Sequence, residues 1–236
     1  MRLDRYLCEL NTGTRSQVRD FIKKGLVSVN GQVVRAADCK IDEQRDRIVF
    51  QGKQLIWQKF VYYMLNKPRG VVSATQDNTA GTVVELLAAE GRKDLFPVGR
   101  LDKDTEGLLL LTNDGELAHR LLSPKKHVDK TYHVTVAHAL GPEDIRQLEQ
   151  GVDIGEERMT LPAKAEILSD NVLLLTIQEG KYHQVKRMMQ AVDNQVTALK
   201  RIRFGGISLD EGLAPGAYRP LTPQEESCLK EGRSGY

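Results

Sequence analysis

Apolar positions in the first fifty residues follow helical spacing and then switch to strand alternation. Leu3, Leu7 and Leu10 predict a short helix with Arg2 and Arg5 on its exposed side. Thr14-Arg15-Ser16-Gln17 has the form of a capping box, in which Thr14 caps the first turn and Gln17 reaches back. Val18, Phe21 and Ile22 give this second helix its apolar face, and Gly25 its stop. Leu26 to Val34 carries Asn30-Gly31 between β-rich runs, which predicts a tight hairpin, and a strand over Arg47 to Phe50 closes the unit. Gln51 to Phe60, with Gly52 and mixed polarity, predicts a linker in which Trp57 is a packing residue.

The remaining pattern alternates strands with helices. Val61 to Leu65 predicts a strand entering the turn Asn66-Lys67-Pro68-Arg69-Gly70, with Val71 and Val72 extended beyond it. Val83, Val84, Leu86 and Leu87 give Thr82 to Ala89 helical spacing. A polar loop from Phe96 to Gly107 precedes a buried-type strand over Leu108 to Leu111, and Glu116 to Leu122 predicts a helix ended by Ser123-Pro124. Strands are expected over Lys130 to Val136, Ala163 to Ile167, Val172 to Ile177 and Val196 to Ile202. Helices are expected over Pro142 to Gln150 and His183 to Val192, with a short helix and a loose tail after Pro220. The mixture predicts an α+β fold built on a sheet, without internal repeats.

Composition narrows the classes. With 40% hydrophobic and 28% charged residues in 236, the chain can bury a real core in one large or two unequal domains. Apolar runs such as Leu108 to Leu111 are too short to cross a bilayer, and Met1-Arg2-Leu3-Asp4-Arg5 lacks the apolar region of a signal peptide. Three dispersed cysteines fit neither a disulfide framework nor metal spacing, so a soluble protein of a reducing compartment is expected. Net charge is only +2, but it is uneven: residues 1–60 hold 12 Lys/Arg and 7 Asp/Glu, hence +5, and the rest hold 22 and 25, hence −3. Arg15, Arg19 and Lys23 fall at i, i+4 and i+8 on one helix face, the pattern of a small domain that meets a polyanion.

The loop Gly99 to Gly107 concentrates two aspartates, an arginine, a lysine and a glutamate between glycines. A solvated connection between strands is the plainest reading. A phosphotransferase arrangement, with Asp102 phosphorylated and Asp104 as acid or base, would want a hydrophobic strand directly before Asp102; here the apolar strand follows it.

Two resemblances sharpen this. The opening Arg-Leu-Asp-Arg-Tyr-Leu, followed by Thr-Arg-Ser-Gln-Val-Arg and Gly-Leu-Val-Ser-Val-Asn-Gly, resembles the S4 RNA-binding domain over residues 1–48. It implies RNA contacts by Arg2, Arg5, Arg15, Arg19, Lys23 and Lys24. Asn66-Lys67-Pro68-Arg69-Gly70, Gly99-Arg100-Leu101-Asp102, Lys130-Thr131-Tyr132 and Glu179-Gly180-Lys181-Tyr182-His183-Gln184-Val185-Lys186 then occur in order. With the closing Leu213 to Thr222, they resemble the RsuA-type pseudouridine synthases, bacterial enzymes that isomerise a uridine of ribosomal RNA.

That resemblance implies an S4-like domain with linker over 1–58 and a catalytic domain over 59–236, the latter on a mixed, largely antiparallel sheet with flanking helices. Asp102 becomes the essential aspartate, Tyr132 lies against the target base, and Lys186 pairs with Asp102. Arg100, Lys103, Asn66, Lys67, Arg69, His183 and Gln184 become further RNA contacts, and Lys200, Arg201 and Arg203 add basic surface. No cofactor and no metal are implied. The expected partner is 16S rRNA or a small-subunit assembly intermediate, met by a cytoplasmic monomer. A 23S rRNA target and a non-catalytic assembly factor are the alternatives.

Overall fold

The computed structural model describes residues 1–10, 12–55, 58–123 and 126–231; Trp57 and Pro124 lie outside them. The chain divides into two compact units, Met1–Phe60 with Ala88–Lys93, and Val61–Leu87 with Asp94–Tyr236.

The first unit begins with α1 (Leu3–Glu9) and α2 (Arg15–Lys23). The expected capping box starts α2: the Gln17 amide donates to Thr14 Oγ1 at 3.4 Å, and the Thr14 amide donates to Gln17 Oε1 at 2.9 Å. Leu3, Tyr6, Leu7, Val18 and Ile22 bury their side chains with Val27, Ile41 and Ile48. Four short antiparallel strands complete the unit: β1 (Val27–Val29), β2 (Gln32–Val33), β3 (Ile48–Phe50) and β4 (Lys53–Leu55), in the order β2-β1-β3-β4. Asn30 and Gly31 have φ of 53° and 83°, the left-handed pair required by a two-residue hairpin. Gln51 and Gly52 repeat this turn, with φ of 49° and 81°, and lead into β4. The expected linker from Gln51 therefore begins as part of the sheet. Its residues gave no strand signal because an exposed edge strand shows no alternation of burial.

The second unit is a mixed sheet with flanking helices. Its strands are β5 (Tyr62–Lys67), β6 (Phe96–Val98), β7 (Glu106–Thr112), β8 (Lys130–Val136), β9 (Lys164–Ser169), β10 (Val172–Ile177), β11 (Val196–Phe204), β12 (Ile207–Ser208) and β13 (Tyr218–Pro220). The main order is β13-β5-β7-β11-β8-β10-β9, with β6 on β7 and β12 on β11. Only β7 and β11 run parallel among these pairs, through Glu106 with Lys200 and Gly107 with Arg201. The helices are α3 (Gly115–Leu122), α4 (Pro142–Gln150), α5 (Gln184–Ala191) and α6 (Pro223–Glu231); a 3₁₀ helix at Glu85–Glu90 has residues in both units.

The unbroken apolar run of β7 has a direct cause. Leu109 and Leu111 enter a core containing Leu148 of α4 and Val185, Met188 and Met189 of α5. Leu108 and Leu110 enter the opposite core, with Leu117 and Leu121 of α3 and Leu229 of α6. A strand covered on both faces has no polar side to alternate with. Glu106 and Gly107 extend β7 two residues earlier than the apolar run predicts, β5 runs on through Asn66 and Lys67, and β11 continues to Phe204.

Candidate active site

Asp102 lies in the connection between β6 and β7, and this loop is anchored by groups contributed from elsewhere. Ser73 Oγ donates to the Leu101 carbonyl at 2.9 Å and accepts from the Leu101 amide at 3.0 Å. Lys67, at the end of β5, is fully buried, and its ammonium donates to the carbonyls of Pro68, Asp102 and Thr105 at 3.1, 3.0 and 2.8 Å. A fourth, longer contact reaches the Lys103 carbonyl at 3.5 Å. Burial pushes the Lys67 amine down to about 8. Gly107 ends the loop at φ 102°, where a Cβ would collide with the Arg201 backbone.

With its backbone fixed, Asp102 presents a partly exposed carboxylate to α5. Lys186 Nζ lies 3.1 Å from one oxygen, and His183 Nε2 lies 3.6 Å from the other. Lys186 also donates to Asp104 at 2.6 Å. Burial works against the Lys186 ammonium, but the hydrogen bonds to Asp104 and Asp102 outweigh it and hold its pKa above the ordinary lysine value. The same bond holds the Asp104 carboxyl below its usual range. His183 caps α5 in the left-handed region at φ 49° and stacks on Tyr182 with ring centroids 3.9 Å apart. A small cleft of about 80 Å³ opens beside Asp102, walled by Tyr132, Leu199, His183 and Lys186. Tyr132 is 7% exposed and sits across from Arg201 on the neighbouring strand.

Three of the expected contact residues, and one expected to add basic surface, are placed differently. Lys67 is caged by carbonyls and offers no surface to RNA; the positive charge that a motif displays is spent on its own loop. Asn66 is 3% exposed and donates to the Leu213 carbonyl at 2.7 Å, tying β5 to the closing segment. Gln184 is 4% exposed, accepts from the Lys181 amide at 3.0 Å and donates to Glu179 at 3.1 Å. Arg201, expected on the basic surface, is 2% exposed, and its Nε donates to the Leu108 carbonyl at 2.8 Å. Arg69, Arg100 and Lys103 are exposed around the Asp102 loop, with Arg69 Nε 3.4 Å from Glu106.

The six cations of the first unit expected to meet RNA are exposed, and several are paired. Arg2 lies 2.8 Å and Arg19 3.6 Å from Asp4, Arg5 lies 2.8 Å from Glu9, and Lys24 lies 2.7 Å from Asp20. Arg15 and Lys23 make no ion pair among the described residues. Sequence reasoning missed Ser73 and the Asp104 contact, since neither lies in a motif that names its partner. Among the described residues no group of three or more His, Cys, Asp and Glu could hold a metal ion, and no helix is long and apolar enough to cross a membrane.

Comparison with known proteins places this geometry. Residues 61–191 match the RNA pseudouridylate synthase family, and residues 1–43 match the S4 domain. The chain is 50% identical to an uncharacterized RNA pseudouridine synthase of Bacillus subtilis (strain 168), over 98% of this chain and 99% of that one. It is 42% identical to the ribosomal small subunit pseudouridine synthase A of Escherichia coli (strain K12), over 95% and 98% of the two chains. A crystal structure of a pseudouridylate synthase, 41% identical, covers 97% of this chain and 99% of its own, with a TM-score of 0.68. The chain therefore belongs to the RNA pseudouridylate synthase family and carries an S4 domain ahead of the synthase fold.

Proposed function

We propose that this enzyme isomerises one uridine of 16S rRNA to pseudouridine, on free RNA or a small-subunit assembly intermediate, with Asp102 as the catalytic group. The observation that carries the reading is the Asp102 carboxylate, 3.1 Å from Lys186 in a cleft walled by Tyr132. Relatives named small subunit pseudouridine synthase A, at 42% identity in Vibrio cholerae and Escherichia coli, support the small-subunit target.

Isomerisation breaks the N1–C1′ bond of the target uridine, turns the uracil, and joins its C5 to C1′. One proton leaves C5 and one arrives at N1, so neither oxidant nor reductant is required. A carboxylate beside the sugar serves either as nucleophile at C1′ or as base toward the 2′ proton. Lys186 orients the Asp102 carboxylate through the 3.1 Å ion pair. Tyr132 bounds the base and assists removal of the C5 proton. A stacked uridine reaches this cleft only by leaving its stack, at a cost of about a few kcal/mol, which favours an irregular RNA region.

Residues 1–58 dock RNA through Arg2, Arg5, Arg15, Arg19, Lys23 and Lys24, and residues 59–236 catalyse, with Arg69, Arg100, Lys103 and His183 at the RNA side of the cleft. The enzyme acts as a cytoplasmic monomer; a dimer in sedimentation would overturn that part. The direct test is tritium release from rRNA labelled at uridine C5. Release by the native enzyme and none by Asp102→Asn on small-subunit RNA is expected. Release only from 23S rRNA overturns the target, and RNA binding without release from any RNA points to an assembly factor.

A further inference from the structure

Beside the Asp102 cleft lies a larger cavity of about 750 Å³, which shares Arg100, Tyr132, Gly180 and Lys181 as walls. Its floor holds two cations over one aromatic ring. The Arg201 guanidinium lies 5.2 Å and Lys130 Nζ 5.8 Å from the centre of Phe204. Arg201 spends Nε on the Leu108 carbonyl, while its Nη2 is buried with no hydrogen-bond partner. Lys130 donates to the Val128 carbonyl at 2.8 Å. Burial, then the neighbouring Arg201, pushes the Lys130 amine down to about 8.

The carboxylates of Asp129 and Glu179 pull the Lys130 amine part of the way back up, but each is also bonded elsewhere. Asp129 accepts from the Gln178 amide at 2.9 Å. Glu179 accepts from the Leu161 amide at 2.8 Å and lies 3.5 Å from Lys181. Glu156 pairs with Arg187 at 2.7 Å, leaving Glu157 exposed among the lining residues. A buried guanidinium with an orphaned donor beside a partly buried ammonium favours a bound anion, because like charges at close range in a low dielectric repel. The remaining wall is apolar and open: Met159 is 57% and Leu122 43% exposed. Exposed apolar side chains beside a basic site suit a nucleobase and its phosphate.

We propose that this cavity is a second nucleotide subsite, in which Arg201 and Lys130 take a backbone phosphate of the RNA and the wall of Met159 and Leu122 takes a base neighbouring the target uridine. The proposal rests on the isomerase reading, since it assigns a further part of the same substrate to a cavity next to Asp102. It gives Arg201 a substrate-binding role in place of a share in diffuse surface charge.

The test measures equilibrium affinity of the full chain for an oligonucleotide of small-subunit rRNA sequence. Linkages are changed one at a time from phosphodiester to uncharged methylphosphonate. Native protein is expected to lose about tenfold in affinity at one linkage, as befits a charge-assisted contact. Lys130→Gln is expected to start about tenfold weaker on unmodified RNA, with a shallower salt dependence, and to lose nothing further at that linkage. Arg201→Lys, which keeps the charge but removes the forked donor, is expected to fall between them. The linkage scan on native protein needs no variant and so does not depend on any substitution folding. If no single linkage matters, or if the losses from Lys130→Gln and the modified linkage simply add, the subsite is refuted. Because the readout is binding, a chain that binds but forms no pseudouridine refutes the isomerase reading separately.

Discussion

Two lysines hold the loop around Asp102, one from the sheet and one from a helix, and they do so by opposite means. Lys67 is buried and donates only to backbone carbonyls, so it fixes where the chain runs. Lys186 is partly exposed and meets only carboxylates, so it sets the direction of the side chains. The contrast teaches that a motif lysine can serve the shape of a site or its chemistry, and that burial and partner type tell the two apart. Of the four carbonyls that converge on Lys67, those of Lys103 and Asp102 also accept from the Gly70 and Thr105 amides, at 2.8 and 3.0 Å. Two carboxylates at a surface have water.

The sharpest way to break this comparison is Lys67→Met. It leaves the Pro68 and Thr105 carbonyls without this donor, while those of Asp102 and Lys103 keep backbone amides. At about 1–3 kcal/mol for each carbonyl before relaxation, a loss of about 2 kcal/mol or more is expected in denaturant unfolding. Turnover should fall with it, because the loop loses its anchor. A variant with native stability would show that the cage is ornamental.

Lys186→Met should give the converse result. Stability should change by less than about 1 kcal/mol, as for other partly exposed pairs, while kcat falls by about 10²-fold. An equal loss in both measurements would erase the distinction between the lysines.

Their pH dependences should also have opposite signs. The folded pKa of Lys67 is depressed to about 8, against 10.5 for an ordinary lysine. Between these values the unfolded chain holds a proton that the folded one lacks, so this group favours folding more as pH rises. The folded pKa of Lys186 is raised above 10.5, so its contribution is complete below that value and is lost as pH rises through the folded pKa. Unfolding titrations of the native protein against each variant separate the two trends; parallel curves would contradict them.

The smallest effect is expected from Asp104→Asn. Asp104 is 69% exposed at its side chain, yet shares Lys186 with Asp102. Removing its charge should leave stability within about 0.5 kcal/mol. It should also free Lys186 to bond Asp102 alone, changing kcat by no more than a few-fold. A loss as large as that of Asp102→Asn would make Asp104 a second essential acid.

Much of this architecture could be read in advance, for reasons that are local. The Thr14–Gln17 box, the Asn30-Gly31 turn, the alternation of Lys130–Val136 and the proline-started helix Pro142–Gln150 each follow from chemistry within a few residues. What escaped was non-local. β4 and β6 are short strands that owe their form to a neighbour, and Pro97 in β6 argued against a strand. Lys67 looked like a cation for RNA because nothing in Asn66-Lys67-Pro68 announces that carbonyls from Asp102 to Thr105 will close around it. The Lys186–Asp102 pair was accessible only through the resemblance of two distant motifs. Its second partner, Asp104, was not.

The parallel pairing of β7 with β11, at Glu106 beside Lys200 and Gly107 beside Arg201, has a consequence for how the enzyme comes into being. β11 alone joins the β13-β5-β7 strands to the β8-β10-β9 strands, and it comes late in the chain. Lys67 and the Asp102 loop belong to one side of that seam, and Tyr132 to the other. A nascent chain that has not yet released Val196–Phe204 from the ribosome therefore carries two separate antiparallel ribbons, with the open edge of β8 and the start of β7 awaiting the same strand. The cleft that holds Asp102 and Tyr132 is therefore complete only once β11 has paired with both ribbons.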